Sequence, residues 1–200
     1  MDSFWDERYK GSEYIYGIEP NEWLRLNIEN LPPGLALFPC EGEGRNAVHA
    51  ALKGWKVQAF DQSIEGQKKA MLLASDNDVR IDYTVGDVLD FQYPVAKYDL
   101  IAVIYSHFVP ELRVPFHQKL IDSLAVNGLL ILETFSKKQL IFNSGGPQDE
   151  SMLYTAELLK KDFDQLKILH LSEDVVPLYE GPRHSGEAAV VRLVATKVQT

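Results

Sequence analysis

The chain has almost no cysteine, and this scarcity excludes several classes of protein. Its 200 residues include one cysteine, Cys40, so an internal disulfide cannot form. No Cys/His spacing resembles a zinc site, and we expect no bound metal. These features are typical of a protein from a reducing compartment, and we expect a cytoplasmic protein.

Clusters of basic residues and long apolar runs are also missing. Twenty Lys and Arg stand against 29 Asp and Glu, which gives a net charge of −9. A nucleic-acid backbone is a poor partner for such a surface. No apolar run approaches the roughly 20 residues of a membrane span, and the opening residues lack the pattern of a secretory signal. We therefore expect neither a nucleic-acid nor a membrane partner.

Strand-like and helix-like segments alternate along most of the chain. Apolar runs predict five strands at 35–39, 56–60, 79–85, 100–105 and 129–135. Asn21 and Ser63 are expected to cap helices, and further helices are expected at 45–53, 115–126 and 149–160. The last two strand-like segments, 166–171 and 188–198, have no helix between them, which predicts an antiparallel hairpin.

This order predicts an α/β fold of the Rossmann-like, doubly wound type. The expected sheet has seven strands, mostly parallel, with an antiparallel C-terminal strand. We expect a single domain over residues 1–200, with an N-terminal helical or lid-like segment over 1–30 and the Rossmann-like core over 31–200. The link between the last two strands contains Pro177 and Gly181 and is expected to be a loop.

A glycine-rich turn after the first predicted strand points to a ligand site. Gly42, Gly44 and Ala47 fit the fingerprint G-x-G-x-x-G/A. The two glycines would let the backbone approach a ligand that any Cβ would push away, while N–H groups opening the next helix face it. Asp61, at the tip of the second strand, would hold the hydroxyls of a ribose. The alternatives are a tight turn without a ligand, and for Asp61 a solvated strand end or helix cap.

Two further features favour one adenosine cofactor over NAD. The terminal hairpin gives seven strands rather than six, and Gly86-Asp87-Val88 follows the third strand. Asp87 would accept a hydrogen bond from an adenine amino group there, or would simply form a turn. Together these features resemble the class I S-adenosylmethionine-dependent methyltransferases.

The resemblance extends to the tellurite-resistance-like branch of these enzymes. It is carried by Glu41-Gly-Glu-Gly-Arg-Asn-Ala-Val48, Tyr16-Gly17, Glu19-Pro20-Asn21, Ser106-His107-Phe108, Gln139-Leu140, Gly145-Gly146-Pro147 and Glu180 to Val191. It implies S-adenosylmethionine as cofactor, S-adenosylhomocysteine as product and a small-molecule methyl acceptor. The cofactor-binding residues are then expected to be Tyr16, Pro39, Cys40, Glu41, Gly42, Gly44, Arg45, Asn46, Asp61, Gln62, Ser63, Gly86, Asp87, Val88 and Tyr105.

The first strand departs from the class pattern. Phe38 and Cys40 stand where the class usually has an acid and a glycine, and Glu41 is expected to compensate by neutralising the methionine ammonium. Arg45 lies in the first helical turn, where a cation is unfavourable. We expect it to clamp a cofactor carboxylate or to reach Glu41 or Glu43. Cys40 is interpreted as a packing residue.

Polar residues after the later strands are the candidates for acceptor chemistry. His107 follows the fourth strand, as a general base or orienting group, or as a hydrogen-bonded loop histidine. Glu133 lies in an otherwise apolar strand and needs a partner if buried. The expected catalytic residues are His107, Glu133, Arg183 and His184, with Tyr105 and Gln139 also lining the acceptor pocket.

The sequence therefore predicts an S-adenosylmethionine-dependent methyltransferase that acts on a small molecule. Two alternatives remain open at this point. An NAD-dependent oxidoreductase would share the glycine turn and Asp61 but leave Asp87 and the hairpin unexplained. A non-catalytic module that binds an adenosyl cofactor would keep the turn and lack a competent acceptor pocket.

Overall fold

The computed structural model describes residues 3–199, of Ser3 only the backbone, so residues 1, 2 and 200 of the expected domain lie outside the described residues. Seven strands alternate with six α-helices and two short 3-10 helices at Lys137–Ile141 and Glu150–Met152. The strands are β1 Leu35–Pro39, β2 Lys56–Asp61, β3 Asp82–Val85, β4 Tyr98–Ile104, β5 Leu124–Phe135, β6 Lys167–Tyr179 and β7 Ser185–Thr196. The helices are α1 Ser3–Tyr9, α2 Glu22–Ile28, α3 Arg45–Leu52, α4 Ile64–Asp76, α5 Pro110–Ser123 and α6 Ala156–Asp162.

All seven strands form one sheet in the order β3-β2-β1-β4-β5-β7-β6. Strand β2 pairs in parallel with both β1 and β3, and β4 pairs in parallel with β5. Strand β7 runs antiparallel to its two neighbours, β5 and β6. The prediction of a seven-stranded, mostly parallel sheet with an antiparallel last strand is therefore confirmed.

Two compact units make up the described chain. The first contains the residues up to Gln92 together with Glu180–Arg183, and so holds β1–β3 and α1–α4. The second contains Tyr93–Tyr179 and the chain from His184 onward, and so holds β4–β7, α5 and α6. The single domain over residues 1–200 stays a prediction. Among residues 3–199 no helix has the length and apolar character that crossing a membrane requires.

Local sequence explains where the helices of the first unit begin. The side chain of Asn21 accepts a hydrogen bond from the Leu24 N–H at the start of α2. Ser63 does the same for the Gly66 N–H at the start of α4. Both predicted caps are confirmed, because each side-chain oxygen satisfies an N–H that has no partner within its helix.

In the second unit the predicted bounds of one helix and one strand are wrong at prolines. Helix α5 begins at Pro110 and continues through Pro115, whereas we expected it to begin at Pro115. Pro110 lies in the first turn, where its missing N–H costs nothing. Strand β6 runs through Pro177, which was expected in a loop, and only residues 180–184 remain as the hairpin link. Edge strands tolerate proline because an outward-facing N–H has no ladder partner to lose.

The helix expected at 149–160 is shorter and interrupted. A 3-10 helix occupies Glu150–Met152, and α6 begins only at Ala156, with Thr155 as its cap. Between them Tyr154 forms an isolated bridge with Ser136, which follows β5. Pairing with the chain after β5 therefore overrides the helical pattern at this point.

A buried charged group joins α5 to α6. Asp162 Oδ2 accepts hydrogen bonds from Arg113 Nε at 2.8 Å and from His117 Nδ1 at 2.9 Å. Burial lowers the pKa of His117, so the ring is neutral at neutral pH. Such a group is costly to break, because each partner left behind is a buried polar atom without its acceptor.

We expect Asp162→Ala to destabilise the protein by about 3–5 kcal/mol, because Arg113 and His117 lose their shared acceptor. Denaturant unfolding monitored by circular dichroism measures the change. Asp164→Ala, at an exposed site two residues away, is the matched control and should leave the midpoint nearly unchanged. Equal stability of the two variants would show that the ionic group contributes nothing.

Candidate functional site

The glycine turn is tight because its neighbours leave no room for side chains. Gly42 has φ +60° and Gly44 has φ +91°. A Cβ on Gly42 would lie 2.7 Å from the Tyr9 hydroxyl, and one on Gly44 would lie 2.5 Å from Ala70 Cβ. Protein packing therefore requires both glycines, and close approach of a ligand to them stays a prediction.

The residue before the turn carries backbone strain. Cys40 has φ +54°, in the left-handed region where glycine is favoured. This is the position at which the class pattern would have a glycine. The structure therefore gives that pattern a physical reason, and a cysteine in this conformation costs on the order of 1 kcal/mol relative to glycine. The Cys40 side chain is half-buried and forms no disulfide.

The carboxylate of Glu41 binds backbone N–H groups at the start of α3. Its Oε1 accepts hydrogen bonds from the N–H groups of Asn46, at 2.8 Å, and Ala47, at 2.7 Å. We expected the N–H groups opening this helix to face a ligand. These two are instead satisfied inside the protein, and Glu41 is the group that the turn presents.

Asp61 ties the end of β2 to the turn and to α4. Its Oδ2 accepts from the Gly42 N–H at 3.1 Å, and its Oδ1 accepts from the Ser63 N–H at 2.9 Å. Asp61 is buried, and Gln62 after it is half-buried. Each carboxylate oxygen has two lone pairs, so both retain capacity to accept from a ligand hydroxyl.

The two carboxylates share an unusual electrostatic state. Burial raises the pKa of Glu41 to about 7 and that of Asp61 to about 6, although backbone N–H groups stabilise the ionised forms of both. Within residues 3–199 neither carboxylate has an ion-pair partner. Titratable groups perturbed in this way, side by side at the carboxyl ends of two parallel strands, are typical of a ligand site.

Two buried tyrosines, Tyr9 and Tyr83, flank the turn, and neither was on the list of expected cofactor-binding residues. The Tyr83 hydroxyl donates to the Gly42 carbonyl at 2.6 Å. The side chain of Tyr9 is almost fully buried, and its hydroxyl lies beside Gly42. Its position beside the turn makes Tyr9 a candidate for contact with a bound molecule.

A second acid of the turn holds the N-terminal arm, which we define as residues 10–20. Glu43 Oε2 accepts from the backbone N–H groups of Ile15 and Tyr16. Its Oε1 accepts from Lys69 Nζ at 2.7 Å, in an ion pair that is largely buried. Tyr16, the tyrosine we expected to contact the cofactor, is placed by these bonds, and its hydroxyl accepts from Arg8.

Arg45 has a partner that we did not expect. Its guanidinium lies 2.9 Å from Glu180 Oε2 in a buried ion pair, and Glu180 Oε1 accepts from Asn21 Nδ2 at 3.0 Å. We expected Arg45 to clamp a cofactor carboxylate or to reach Glu41 or Glu43. No local signal in the sequence relates residues 45 and 180, because the hairpin link brings Glu180 to α3 from far along the chain. Asn46 is also engaged, because its Oδ1 accepts from the Asn21 N–H.

The remaining expected cofactor residues of this unit differ in their burial and in the hydrogen bonds that they already make. Ser63 is engaged within the protein, since its hydroxyl caps α4 and donates to Asp6 at 2.6 Å. Asp87 is exposed, and its Oδ1 accepts from the Leu89 N–H, which is the turn-forming alternative. Any contact between Asp87 and a ligand would use its other carboxylate oxygen, Oδ2. Pro39 and Val88 are buried, and Gly86 is half-buried with open space beside it.

In the second unit, Tyr105, Glu133 and Arg192 form a hydrogen-bonded row. The Tyr105 hydroxyl donates to Glu133 Oε1 at 2.8 Å, and Arg192 Nε donates to Glu133 Oε2. Arg192 stands directly opposite Glu133 in the β5–β7 pairing. The partner that a buried Glu133 requires is therefore Arg192, which sequence reasoning missed because strand register cannot be read from one sequence. Tyr105 has φ +52°, a strained conformation.

His107 is placed as a hydrogen-bonded histidine. Its Nδ1 donates to the Met152 carbonyl at 2.9 Å, and the Thr134 hydroxyl lies 3.2 Å from its Nε2. Burial lowers the pKa of His107 to about 4. The ring is neutral at neutral pH and, in this arrangement, is a poor general base. This matches the second of the two interpretations considered for it.

The other expected acceptor residues are distributed between the two units. His184 is buried in the second unit, edge-on to Tyr105 and Phe135 with ring centroids 4.5 and 5.3 Å away. Arg183 belongs to the first unit and is exposed. Gln139 is buried and occupied, because its amide bonds to Ser144 and to the backbone of residues 145 and 189.

Comparison with known proteins identifies the fold. No protein-family model matches the chain, and no curated protein matches its sequence. The structure solved for the conversion of a disulfide bond into a thioacetal group during echinomycin biosynthesis matches with a TM-score of 0.79 and 16% identity, over 96% of this chain and 90% of that one. For TehB from Haemophilus influenzae the TM-score is 0.72 and the identity 15%, over 98% of this chain and 66% of that one.

A third match is magnesium protoporphyrin IX methyltransferase from Synechocystis PCC 6803 with bound SAH. It has a TM-score of 0.65 and 18% identity, over 86% of this chain and 78% of that one. At these identities the likeness shows the fold. The chain has the Rossmann-like fold found in S-adenosylmethionine-dependent methyltransferases.

We expect Gly44→Ala to lower the free energy of unfolding by about 2–4 kcal/mol, because the new Cβ meets Ala70 and the backbone there is left-handed. Chemical denaturation gives the value. Gly11→Ala is the control, since nothing lies within 4 Å of a Cβ at that position. A Gly44→Ala protein as stable as the control would show that α4 can move away from the turn at no cost.

Proposed function

We propose that the protein is an S-adenosylmethionine-dependent methyltransferase that acts on a small-molecule acceptor. The observation that carries this proposal is the pair of carboxylates, Glu41 and Asp61, at the carboxyl ends of β1 and β2. Both are held in place by backbone N–H groups, both have raised pKa values, and neither has an ion-pair partner in residues 3–199. A bound cation would give Glu41 an ion-pair partner, and a bound diol would donate hydrogen bonds to Asp61.

The residues present fit the cofactor. Glu41 would neutralise the methionine ammonium, as expected for a chain whose first strand lacks the usual acid. Asp61 would accept hydrogen bonds from the ribose hydroxyls. The Tyr9 hydroxyl lies beside Gly42 and would contact the bound cofactor. Asp87 keeps one carboxylate oxygen for the adenine amino group.

S-adenosylmethionine supplies a methyl group on a sulfonium, which a nucleophile can take by direct displacement. The residues of the chain then have to bind, orient and exclude water, and little acid or base catalysis is needed. The neutral His107 is consistent with this requirement. The N-terminal arm, held by Glu43, is the segment that we propose covers the cofactor.

The sheet order weighs against the first alternative, an NAD-dependent oxidoreductase. The common dinucleotide-binding order is 3-2-1-4-5-6. In this chain β7 lies between β5 and β6 and is antiparallel to both. The methyltransferase structures share the fold, which supports the adenosyl cofactor over NAD.

Product formation distinguishes the proposed enzyme from the second alternative, a binding module without catalysis. Titration calorimetry with S-adenosylhomocysteine and with NAD tests the cofactor, and we expect only the first to bind. An assay for methylated product across thiols, amines, hydroxyls and metalloid oxyanions then tests catalysis. Binding without any product would favour the module, and binding of NAD alone would favour the oxidoreductase.

The raised pKa of Glu41 predicts a pH dependence of cofactor binding. The free protein carries a proton on Glu41 below about pH 7, whereas the ammonium of the ligand favours the ionised carboxylate. Binding must therefore displace a proton at lower pH, and we expect the affinity for S-adenosylhomocysteine to fall by up to about tenfold per pH unit below that value. Calorimetry between pH 5.5 and 8.5 measures the profile.

Glu41→Gln should bind more weakly at pH 8 and lose most of this dependence, because the amide does not titrate. Glu157→Gln, at an exposed position in the second unit, should keep the wild-type profile. A Glu41→Gln profile that follows wild type would assign the proton to another group and remove Glu41 from the ammonium site.

A further inference from the structure

Strand β6 forms one edge of the sheet, in the second unit. It stands last in the strand order, so among residues 3–199 it pairs with β7 alone. The strand is 13 residues long, and Leu178 is the one residue of the strand that is buried. The outward peptide groups of a long, exposed edge can bind a further strand. The outer edge of β6 is therefore a candidate interaction surface.

Two local features limit where a further strand could pair. The register with β7 shifts between Ile168 and His170, so Leu169 is an extra residue in a bulge. Pro177, towards the other end, has no N–H to donate. Bulges and prolines are the devices that keep sheet edges from pairing. Here they lie near the two ends, and residues 170–176 between them pair regularly with β7.

Three polar side chains form a row along one face of this regular stretch. His170, Ser172 and Asp174 occupy every second position, and side chains at that spacing share a face. Ser172 Oγ donates to Asp174 Oδ2 at 2.6 Å and lies 2.9 Å from His170 Nε2. The row has a basic side chain at one end and an acidic one at the other. It is therefore complementary in charge to a second copy of itself that runs in the opposite direction.

A two-fold axis perpendicular to the sheet would pair two copies of β6 in antiparallel fashion, with one residue opposite its own copy. An axis at Ser172 sets His170 opposite Asp174 of the second copy. It also sets Leu169 opposite Val175 of the second copy, and these side chains are 53% and 55% exposed. Opposite charges and apolar pairs across two strands are both stabilising.

The neighbouring positions of the axis are less favourable. An axis at Glu173 or at Asp174 sets that acid against its own copy, which is destabilising. An axis at Leu171 sets both acids opposite apolar residues. With the axis at Ser172, Glu173 lies opposite Leu171 but keeps its own partner, because its Oε1 accepts from the Ala156 N–H at 2.8 Å. The pattern of side chains thus favours one register.

We propose that the protein forms a two-fold symmetric dimer through the outer edge of β6, with Ser172 on the axis. The partner is a second copy of this chain, because the polar row is complementary to its own reverse. The two sheets join into one continuous sheet across the axis. A single pair of strands is smaller than a standard interface, so the dimer is weak and its proportion rises with protein concentration.

Cross-linking through Ser172→Cys tests the register. The two copies of residue 172 would have Cα atoms about 4.5–5.5 Å apart, within the range of a disulfide. Under mild oxidation we expect a covalent dimer on a non-reducing gel. Lys167→Cys is the matched control on the same strand, because its two copies would lie roughly 30 Å apart. Wild type, whose single cysteine is Cys40, measures the background.

Sedimentation velocity tests the charge pairing. We expect wild type to pass from monomer to dimer as its concentration rises. Asp174→Lys should raise the dimer dissociation constant by about tenfold, because the axis repeats the lost pair. The double variant His170→Asp/Asp174→Lys has opposite charges in the reverse order and should return the constant towards wild type. Asp164→Lys, at an exposed site outside β6, should leave the constant unchanged.

Each measurement has an outcome that would overturn the inference. Absence of cross-linking in Ser172→Cys, or equal cross-linking in Lys167→Cys, would show that Ser172 is not on an axis. A monomer at every concentration, a dimer that Asp174→Lys leaves unchanged, or a loss that the double variant does not recover would rule out this interface. None of these measurements needs a cofactor, so their outcome is independent of the proposed function.

Discussion

The close approach of the glycine turn to α4 is the constraint on which the first unit depends. A Cβ on Gly44 would strike Ala70, and one on Gly66 would lie 2.9 Å from the Gly42 carbonyl. Backbone therefore packs against backbone, with no layer of side chains between. This contact fixes where the Gly42 N–H points, and through it the position of the Asp61 carboxylate.

Three acidic side chains hold the elements around that turn in place. Glu41 holds the start of α3, Glu43 holds the N-terminal arm and Asp61 joins β2 to α4. Glu43 is paired with Lys69, whereas Glu41 and Asp61 rely on backbone N–H groups. Neutral donors stabilise a buried carboxylate less than a cation does. Burial raises the pKa of Glu41 and of Asp61, and the backbone N–H groups offset this only in part, so both acids would gain from a ligand.

The sequence predicted the parts of the fold that depend on local pattern. The caps at Asn21 and Ser63 and the antiparallel hairpin follow from residue type and period. The extent of β6 does not, because proline is tolerated on an edge strand for reasons that only the sheet order reveals. Helix α6 was expected too early, because the bridge between Ser136 and Tyr154 joins segments distant in sequence.

The prediction of the site was limited in the same way, because contacts between segments distant in sequence could not be derived. The glycine fingerprint and the acid at the end of β2 are brought together by the fold, but the partners of the charged residues could not be derived from the sequence. Arg45 with Glu180 and Glu133 with Arg192 are pairs set by the hairpin and by strand register. Tyr16 was preferred over Tyr9 among the N-terminal aromatics, because the sequence of helix α1 does not indicate which face meets the turn.

Backbone strain gives the two units a common feature. Cys40 follows β1 and Tyr105 follows β4, and both adopt positive φ angles that cost energy for residues other than glycine. Such strain persists only where the surroundings determine the conformation. At Tyr105 the surroundings are the Glu133 carboxylate and the Phe135 ring, which together fix the direction of the phenol hydrogen. A tyrosine held in this way keeps its hydroxyl hydrogen on Glu133, so the direction of this hydrogen bond is a property of the fold.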